Sequence, residues 1–329
     1  RHYSAIGMNK LLFDRIDGLY LVRDQLDLDA ETLRVLEKSC KGFVRSGAKL
    51  GGSAQQRLSE INSALALNGA KFGQNVLADE KRWSLIIEDS ADLGGLPDGL
   101  RAAMMEAARE LGWPGAYAVT LSRSIIEPFL TYSDKRSLRE EAFRAWAARG
   151  ENGGETDNRL LVAETLALRA EKAALLGYDS FAAYKLDDTM AKTPAAVNTL
   201  LSDVWERALS RANREAEELQ QLAQTSGNNH EILPWDWRYY AEKLRSEKFA
   251  FNEAQIKPYF ELNRIVDACF AVATKLFDLT FSEQFDAIAW HPDVRSFSVM
   301  DADGKRIGLF LGDYFARSSK RSGAWMSAI

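Results

Sequence analysis

The fold class is decided by two neighbouring stretches, LDAETLRVLEKSCKGFVRSGAKL (Leu28–Leu50) and SAQQRLSEINSALALNGAKFGQNVLADEKRW (Ser53–Trp83). In both, apolar residues recur at intervals of three and four, which is the period of an amphipathic α-helix. Only Gly51 and Gly52 separate them. Long helices joined by so short a turn predict an antiparallel helical hairpin.

Helical patterns continue as far as residue 277. The clearest begins at Thr193-Pro194, because threonine caps a helix well and proline suits its first turn. One face of this helix carries apolar residues: Val197, Leu200, Leu201, Val204, Trp205, Ala208 and Ala212. Its far end, REAEELQQLAQ (Arg214–Gln224), is polar and predicts a solvated helix. The run WSLIIED (Trp83–Asp89) is consistent with one short strand.

The pattern changes after Phe277. Two alternating runs, Arg295–Met300 and Lys305–Leu311, flank Asp301-Ala302-Asp303-Gly304. An Asp-Gly pair between such runs is typical of a β-hairpin. We therefore predict a mainly α fold of long-helix hairpins and a bundle over residues 1–277, followed by a small β-sheet within residues 278–329.

Composition excludes several classes of function. The chain has 329 residues, of which 46% are hydrophobic and 27% charged, as in an ordinary globular protein. Its net charge is −5, from 42 basic and 47 acidic residues, so it lacks the basic footprint of a nucleic-acid-binding protein. No apolar run approaches the roughly 18 residues of a membrane span. We expect neither nucleic acid nor membrane as a partner.

The two cysteines, Cys40 and Cys269, have no near neighbours at metal-ligand spacing. So few cysteines favour a reducing, cytoplasmic compartment over a disulfide framework. We expect both to be buried structural thiols.

His230-Glu231-Ile232-Leu233-Pro234 begins like the H-E-x-x-H motif of zinc peptidases, but Pro234 stands where the second histidine belongs. We therefore predict that His230 lies in an exposed loop. The other histidines are His2 and His291, and three scattered histidines cannot build a two-histidine site on one helix. Since His291 precedes Pro292, we expect it to be hydrogen-bonded near the start of a strand. No catalytic or metal-binding residue is predicted in this chain.

The segment Pro234–Tyr240 is dense in aromatic residues. It has two interpretations, the wall of a substrate channel or core packing with satisfied polar tips. Packing is the favoured one.

Several blocks carry a family resemblance. They are LDLDAETLRVLE from Leu26, LDDTMAKTPAAV (Leu186–Val197), WDWRYYAEKLRSEKF (Trp235–Phe249), IKPYFELN (Ile256–Asn263), and then HPDVR, GLFLGDYFAR and GAWM within Trp290–Met326. Together they resemble the thimet oligopeptidase family of zinc metallopeptidases. KPYFEL and GDYFAR are closer to the bacterial peptidyl-dipeptidase type than to oligopeptidase A.

The resemblance implies an almost wholly helical, two-halved molecule split by a channel with zinc on its floor. Residues 1–277 would form channel wall, and residues 278–329 would begin the sheet of the catalytic half. Such enzymes cleave short peptides, and peptidyl-dipeptidases release dipeptides from the C-terminus; the full-length enzyme would be a monomer. An edge strand beside the zinc helix pairs with the substrate, and Gly323, Ala324, Trp325 and Met326 are the best match, although Gly323 could simply mark a bend.

The family's H-E-x-x-H helix should follow these blocks, and the sequence ends at Ile329 without it. We therefore expect a fragment that binds no zinc, is inactive alone, and self-associates through exposed apolar edges. The alternative is a non-catalytic helical protein that binds peptides or acts as a scaffold.

Overall fold

The computed structural model describes residues 2–249, 253–317, 319–320 and 326–327. These residues confirm a mainly α fold. The helices are α1 His2–Gly7, α2 Lys10–Leu21, α3 Ala30–Arg45, α4 Gly52–Arg82, α5 Asp98–Glu110, α6 Arg123–Tyr132, α7 Arg136–Ala147, α8 Arg159–Leu175, α9 Phe181–Leu186, α10 Pro194–Thr225, α11 Pro234–Phe249, α12 Glu253–Ile256 and α13 Leu262–Phe277. The strands are β1 Ser84–Ile87, β2 Tyr117–Thr120, β3 Thr280–Gln284, β4 Arg295–Met300 and β5 Arg306–Gly312.

The chain divides into two compact units, each made of two separate stretches. Unit 1 comprises residues 1–82 and 145–218, and unit 2 comprises residues 83–144 and 219–329. The region predicted to be helical, residues 1–277, is therefore divided between the two units.

In unit 1, the two helices predicted from the opening stretches are present as α3 and α4, but their packing differs from the prediction. Helix α3 packs on α2, and α4 packs on α8, rather than chiefly on each other. Phe13 of α2 meets Cys40 and Ala48 in the small core of the first pair. Helix α3 starts where Asp29 accepts a hydrogen bond from Thr32 N.

A loop at residues 150–158 is fixed to α4 by one buried carboxylate. Asp79 accepts hydrogen bonds from Gly150 N at 2.7 Å, Asn152 Nδ2 at 3.0 Å and Thr156 Oγ1 at 2.6 Å. Burial alone would raise the pKa of Asp79, but these donors outweigh it and hold the pKa below its ordinary value. The loop is therefore held by three hydrogen bonds to the ionised carboxylate of Asp79.

Unit 2 contains a two-stranded sheet, of which only one strand was predicted from the sequence. β1 was predicted, and it pairs antiparallel with β2, which was missed. Helix α5 packs on β2, where Ala108, Ala116 and Ala118 form a tight cluster of small side chains. Close packing of small residues lets helix and strand approach closely, so a two-stranded sheet is stable here.

Helix α10 begins at Pro194 as predicted, with Thr193 Oγ1 accepting from Ala196 N. Its far end is not solvated as predicted, because Leu219, Leu222 and Ala223 are buried against Tyr240 of α11. Three apolar residues at helical spacing suffice to bury one side of an otherwise polar segment. The predicted apolar face at the other end of α10 is largely exposed within the described part of the chain, with Leu200 at 65% and Trp205 at 67%.

The C-terminal sheet is antiparallel in the order β3-β4-β5. The predicted hairpin is confirmed, and a bulge at Val299–Met300 lies beside its turn. Asp301 Oδ1 accepts from Asp303 N and Lys305 N, and Gly304 adopts a φ of +74°. Aspartate and glycine therefore each meet a specific demand of this turn.

The thiols differ from expectation. Cys40 is buried as predicted, whereas Cys269 is exposed. Helix α13 packs on the sheet through Phe270, and the thiol of the neighbouring Cys269 stays exposed. Among the described residues, no helix is both long enough and apolar enough to cross a bilayer.

Candidate functional site

The candidate site is the C-terminal sheet and the turn that follows it, because this region leads to the segment predicted to contact substrate. Helix α13 supports one face of the sheet through an aromatic cluster. Phe270 stacks on Phe281 of β3 with ring centroids 4.0 Å apart, and it meets Phe297 of β4 edge-on at 4.9 Å. Phe310 of β5 completes the cluster at 5.7 Å from Phe270. All three strands are thus anchored to one helical side chain.

A polar clamp holds the start of β4. Arg295 donates to both carboxylate oxygens of Glu283 on β3, at 2.7 and 2.9 Å, and to Asn263 Oδ1 of α13 at 3.1 Å. The Arg295 guanidinium holds the pKa of Glu283 below its ordinary value. This clamp fixes the register of two strands against the helix beneath them.

Strand β5 is an edge strand within the described residues, since its sole strand neighbour there is β4. Its side chains Ile307, Leu309 and Leu311 are exposed. An apolar edge with unpaired backbone groups can accept an extended peptide as a further strand. Within the described residues, this side of the sheet is therefore an open edge that carries exposed apolar side chains.

A single carboxylate organises the turn after β5. Asp313 accepts from Arg317, whose Nη1 lies 2.9 Å from Oδ1, from Lys320 Nζ at 2.8 Å, and from Trp290 Nε1 at 3.0 Å. The Lys320 ammonium also donates to the carbonyl oxygens of Asp313 at 2.9 Å and Phe315 at 2.7 Å. Arg317 first, and Lys320 next, hold the pKa of Asp313 far below its ordinary value. The block GDYFAR was singled out only by the family resemblance, and it gave no sign of the Trp290 and Lys320 contacts.

Of the predicted substrate-contacting residues, Gly323, Ala324 and Trp325 lie outside the described residues. Met326 is described, and it is 95% exposed. The pairing of this segment with a substrate stays a prediction. The described chain as far as Lys320 shows how the preceding turn is fixed.

The histidines lie as the sequence suggested, with one correction. His230 is in a loop before α11, but it is half-buried, because its ring lies beside Tyr240 with Nε2 3.4 Å from the hydroxyl. His291 Nδ1 accepts from Asp293 N at 3.2 Å in the turn before β4, which confirms the predicted hydrogen bond near the start of a strand. In the described ranges no three His, Cys, Asp or Glu side chains are grouped to hold a metal ion. The donors present there do not fit a zinc site.

The aromatic segment of α11 is fixed by a buried ion pair. Asp236 is 0% exposed and accepts from Arg139 Nη2 at 2.8 Å and from Arg136 Nη2 at 2.8 Å. Burial alone would raise the pKa of Asp236, but hydrogen bonds from Arg136 and Arg139 outweigh it and hold the pKa below its ordinary value. Trp235 and Tyr240 are buried, which confirms the packing interpretation for these two residues, whereas Trp237 is exposed.

Comparison with known proteins places the chain in a class. The model of peptidase family M3 matches residues 129–329, which is more than half of the sequence. The chain belongs to peptidase family M3.

Two kinds of relative are similar to the chain over nearly its whole length. The chain is 38% identical over 324 residues to the dipeptidyl carboxypeptidase of Escherichia coli strain K12, covering 98% of the chain and 48% of that protein. It is 34% identical over 329 residues to oligopeptidase A of Haemophilus influenzae, covering 98% of the chain and 48% of that protein. The oligopeptidase A of E. coli is 35% identical over 324 residues. The chain spans about half the length of these relatives.

Proposed function

We propose that this chain is part of a zinc metallopeptidase that cleaves short peptides and releases dipeptides from their C-terminus. The supporting observation is the similarity to the E. coli dipeptidyl carboxypeptidase, which extends over 98% of the chain at 38% identity. The match to the E. coli oligopeptidase A is weaker, at 35%. In this proposal residues 1–277 form channel wall and residues 278–329 begin the sheet of the catalytic half.

Zinc is the cofactor proposed for the whole enzyme, with two histidines of an H-E-x-x-H helix as ligands. No such set is found among the described residues of this chain. We propose accordingly that the 329-residue chain alone binds no zinc tightly and hydrolyses no peptide. The chain's own contribution is to support an extended peptide along a fixed sheet edge, at β5 or at residues 323–326.

The proposed location is the cytoplasm, supported by the presence of only two cysteines in the sequence. The full-length enzyme is proposed to be a monomer. The isolated chain is proposed to self-associate, because apolar side chains of α10 and β5 are exposed in it.

The test uses the product of the complete reading frame beside the 329-residue chain. Each is incubated with zinc and an N-blocked tetrapeptide, and the products are identified by mass spectrometry. We expect the complete product to release the C-terminal dipeptide and to spare the same peptide when its C-terminus is amidated.

The other possible outcomes would each indicate a different function. Internal cleavage of longer peptides regardless of amidation would instead indicate an oligopeptidase A activity. Saturable peptide binding without hydrolysis by the complete product would support the non-catalytic alternative. Zinc-dependent dipeptide release by the 329-residue chain would overturn the proposal that it is inactive alone.

A further inference from the structure

A cleft of about 380 Å³ in unit 2 has no role in the function proposed above. The end of α6, the end of α10 and one face of α11 form its walls. The polar and charged side chains that line it include Thr131, Asp134, Ser226, Tyr239, Glu242, Lys243, Ser246 and Glu247. Its volume lies in the range of small-molecule sites.

Two exposed side chains of opposite charge in this cleft form no ion pair in the described part of the chain. Lys243 and Glu247 are one helical turn apart on α11, yet within the described residues neither forms an ion pair. The Lys243 ammonium lies instead over the ring of Tyr239, 4.6 Å from its centroid. Oppositely charged side chains one turn apart on a helix often form an ion pair. Because Lys243 and Glu247 do not pair with each other, both can contact a ligand.

A second carboxylate lies beyond the Tyr239 ring. Asp134 Oδ1 accepts a hydrogen bond from the Tyr239 hydroxyl at 2.8 Å. Burial, and then this contact with Asp134, raise the pKa of Tyr239 above its ordinary value. Tyr239 therefore lies between a negative end of the cleft at Asp134 and a positive point at Lys243.

Gly95 keeps space beside Asp134. Its φ is +80°, and a Cβ there would lie 2.1 Å from Tyr132 O and 3.0 Å from Asp134 Oδ1. A side chain at this position would thus collide with the wall and crowd the carboxylate. Leu222 of α10 adds an apolar contact to the lining.

We propose that this cleft binds a small zwitterion of dipeptide size, with its ammonium group at Glu247 and its carboxylate at Lys243. Both ends of such a ligand meet an opposite charge. The hydroxyls of Thr131 and Ser226 already donate to backbone carbonyl oxygens, at 2.8 Å in each case, so they can accept a hydrogen bond from its amide N–H. The site does not depend on the peptidase activity proposed above. It lies entirely within unit 2.

The test is isothermal titration calorimetry of the 329-residue chain with L-alanyl-L-alanine as the probe. We expect saturable binding that becomes about tenfold weaker when the probe is N-acetylated, and likewise when it is C-amidated, because each change removes a charge-assisted contact. Failure to detect saturable binding up to about 10 mM would overturn the proposal.

Two variants assign the contacts. Lys243→Met should weaken binding of the free dipeptide about tenfold and leave binding of its amide unchanged, whereas Glu247→Gln should abolish the preference over the acetylated probe. Both side chains are exposed and neither forms an ion pair in the described structure, so thermal unfolding should change little; Lys243→Met loses only the exposed contact with the Tyr239 ring. Lys305→Met and Glu206→Gln, on exposed positions outside the cleft, are the matched controls. Equal losses in the control variants, or none in the cleft variants, would refute the site.

Discussion

At the scale of single residues, Asp236 has the most demanding environment among the charged groups of α11. It is fully buried, and its partner Arg139 is 1% exposed. An exposed pair such as Arg211–Glu215 contributes little to stability, because water screens it. A buried pair differs, since loss of one partner leaves the other charge without compensation.

Replacing Asp236 with asparagine should lower the free energy of unfolding by about 3 kcal/mol, because the buried Arg139 guanidinium would lose its counter-charge. Urea denaturation followed by circular dichroism measures this change. Glu215→Gln, which removes an exposed partner, should change stability by less than about 0.5 kcal/mol. Equal stabilities of the two variants would contradict the assignment of Asp236 as a structural anchor.

The same carboxylate should make stability depend on acid pH. The pKa of Asp236 is lowered from 3.8 by folding, so its contribution is complete above that value and is lost as pH falls through the folded-state pKa. Wild-type chain should therefore lose more stability than Asp236→Asn between pH 4 and lower pH. Parallel urea midpoints for both proteins over a pH series below 4 would exclude this linkage.

The sequence could not predict this ion pair. Arg139 and Asp236 are 97 positions apart, and nothing in either local pattern distinguishes them from surface charges. By contrast, Thr193-Pro194 and Asp303-Gly304 act through their own backbone, so both were read correctly. Motifs that act on their own backbone can be recognised in the sequence, whereas pairs of side chains far apart in the chain form only in the complete fold.

At the scale of elements, helix α4 acts as the support for the loop at residues 150–158. The three hydrogen bonds to Asp79 come from two side chains and one backbone amide of that loop. Asn158 adds a contact, accepting from Asn75 Nδ2 of the same helix at 2.9 Å. The loop is thus positioned by α4 more than by its own turns.

Asp79→Asn should destabilise the chain by about 2 kcal/mol and expose the loop to proteolysis, because an amide cannot accept from all three donors as well as a carboxylate. Limited proteolysis with mapping of the first cleavage measures the effect. The control is Glu151→Gln, on an exposed side chain of the same loop. Cleavage rates that match the control would show that Asp79 does not hold the loop.

The turn after β5 gives a second prediction for an element. Asp313→Asn should increase hydrogen exchange of the backbone at residues 314–320, because Arg317 and Lys320 lose their common anchor. Exchange measured by mass spectrometry should change in this turn and not in β4. Asp303→Asn, in the exposed hairpin turn, is the control. If this variant raised exchange at residues 314–320 as much as Asp313→Asn does, the effect would not be specific to the Asp313 contacts.

The element-level errors of the sequence prediction have a common cause. Strand β2 is only four residues long, YAVT, and it pairs with β1 across an intervening helix. In helix α10 the error concerns burial. The predicted apolar face around Leu200 and Trp205 is exposed, whereas Leu219 and Leu222, in the segment predicted to be solvated, are buried. Periodicity gives the shape of an element, but its partner decides which face is covered.

At the scale of the whole molecule, the exposed face of α10 should control association of the isolated chain. The double variant Leu201→Gln/Trp205→Ser should reduce the apparent mass at high concentration, because it removes apolar area that a second copy can bury. Light scattering after size exclusion gives the mass. Met190→Gln is the control at another exposed apolar position. A wild-type mass that stays monomeric at every concentration would contradict the proposed self-association.

The family assignment could be made from sequence because its blocks extend along nearly the whole chain. The exact substrate contact could not, since its best candidate is a short segment around Gly323 recognised by resemblance alone. The zwitterion cleft was invisible in the sequence, because it joins residues from three separate helices.

The interleaved order of the two units also has a consequence for synthesis on the ribosome. Residues 83–144 belong to unit 2, but the rest of that unit begins only at residue 219. At about ten residues per second, the first part emerges several seconds before its partner. During that interval its apolar residues, including the β1–β2 pair, must remain soluble without their final core, while unit 1 receives its last segment and closes first.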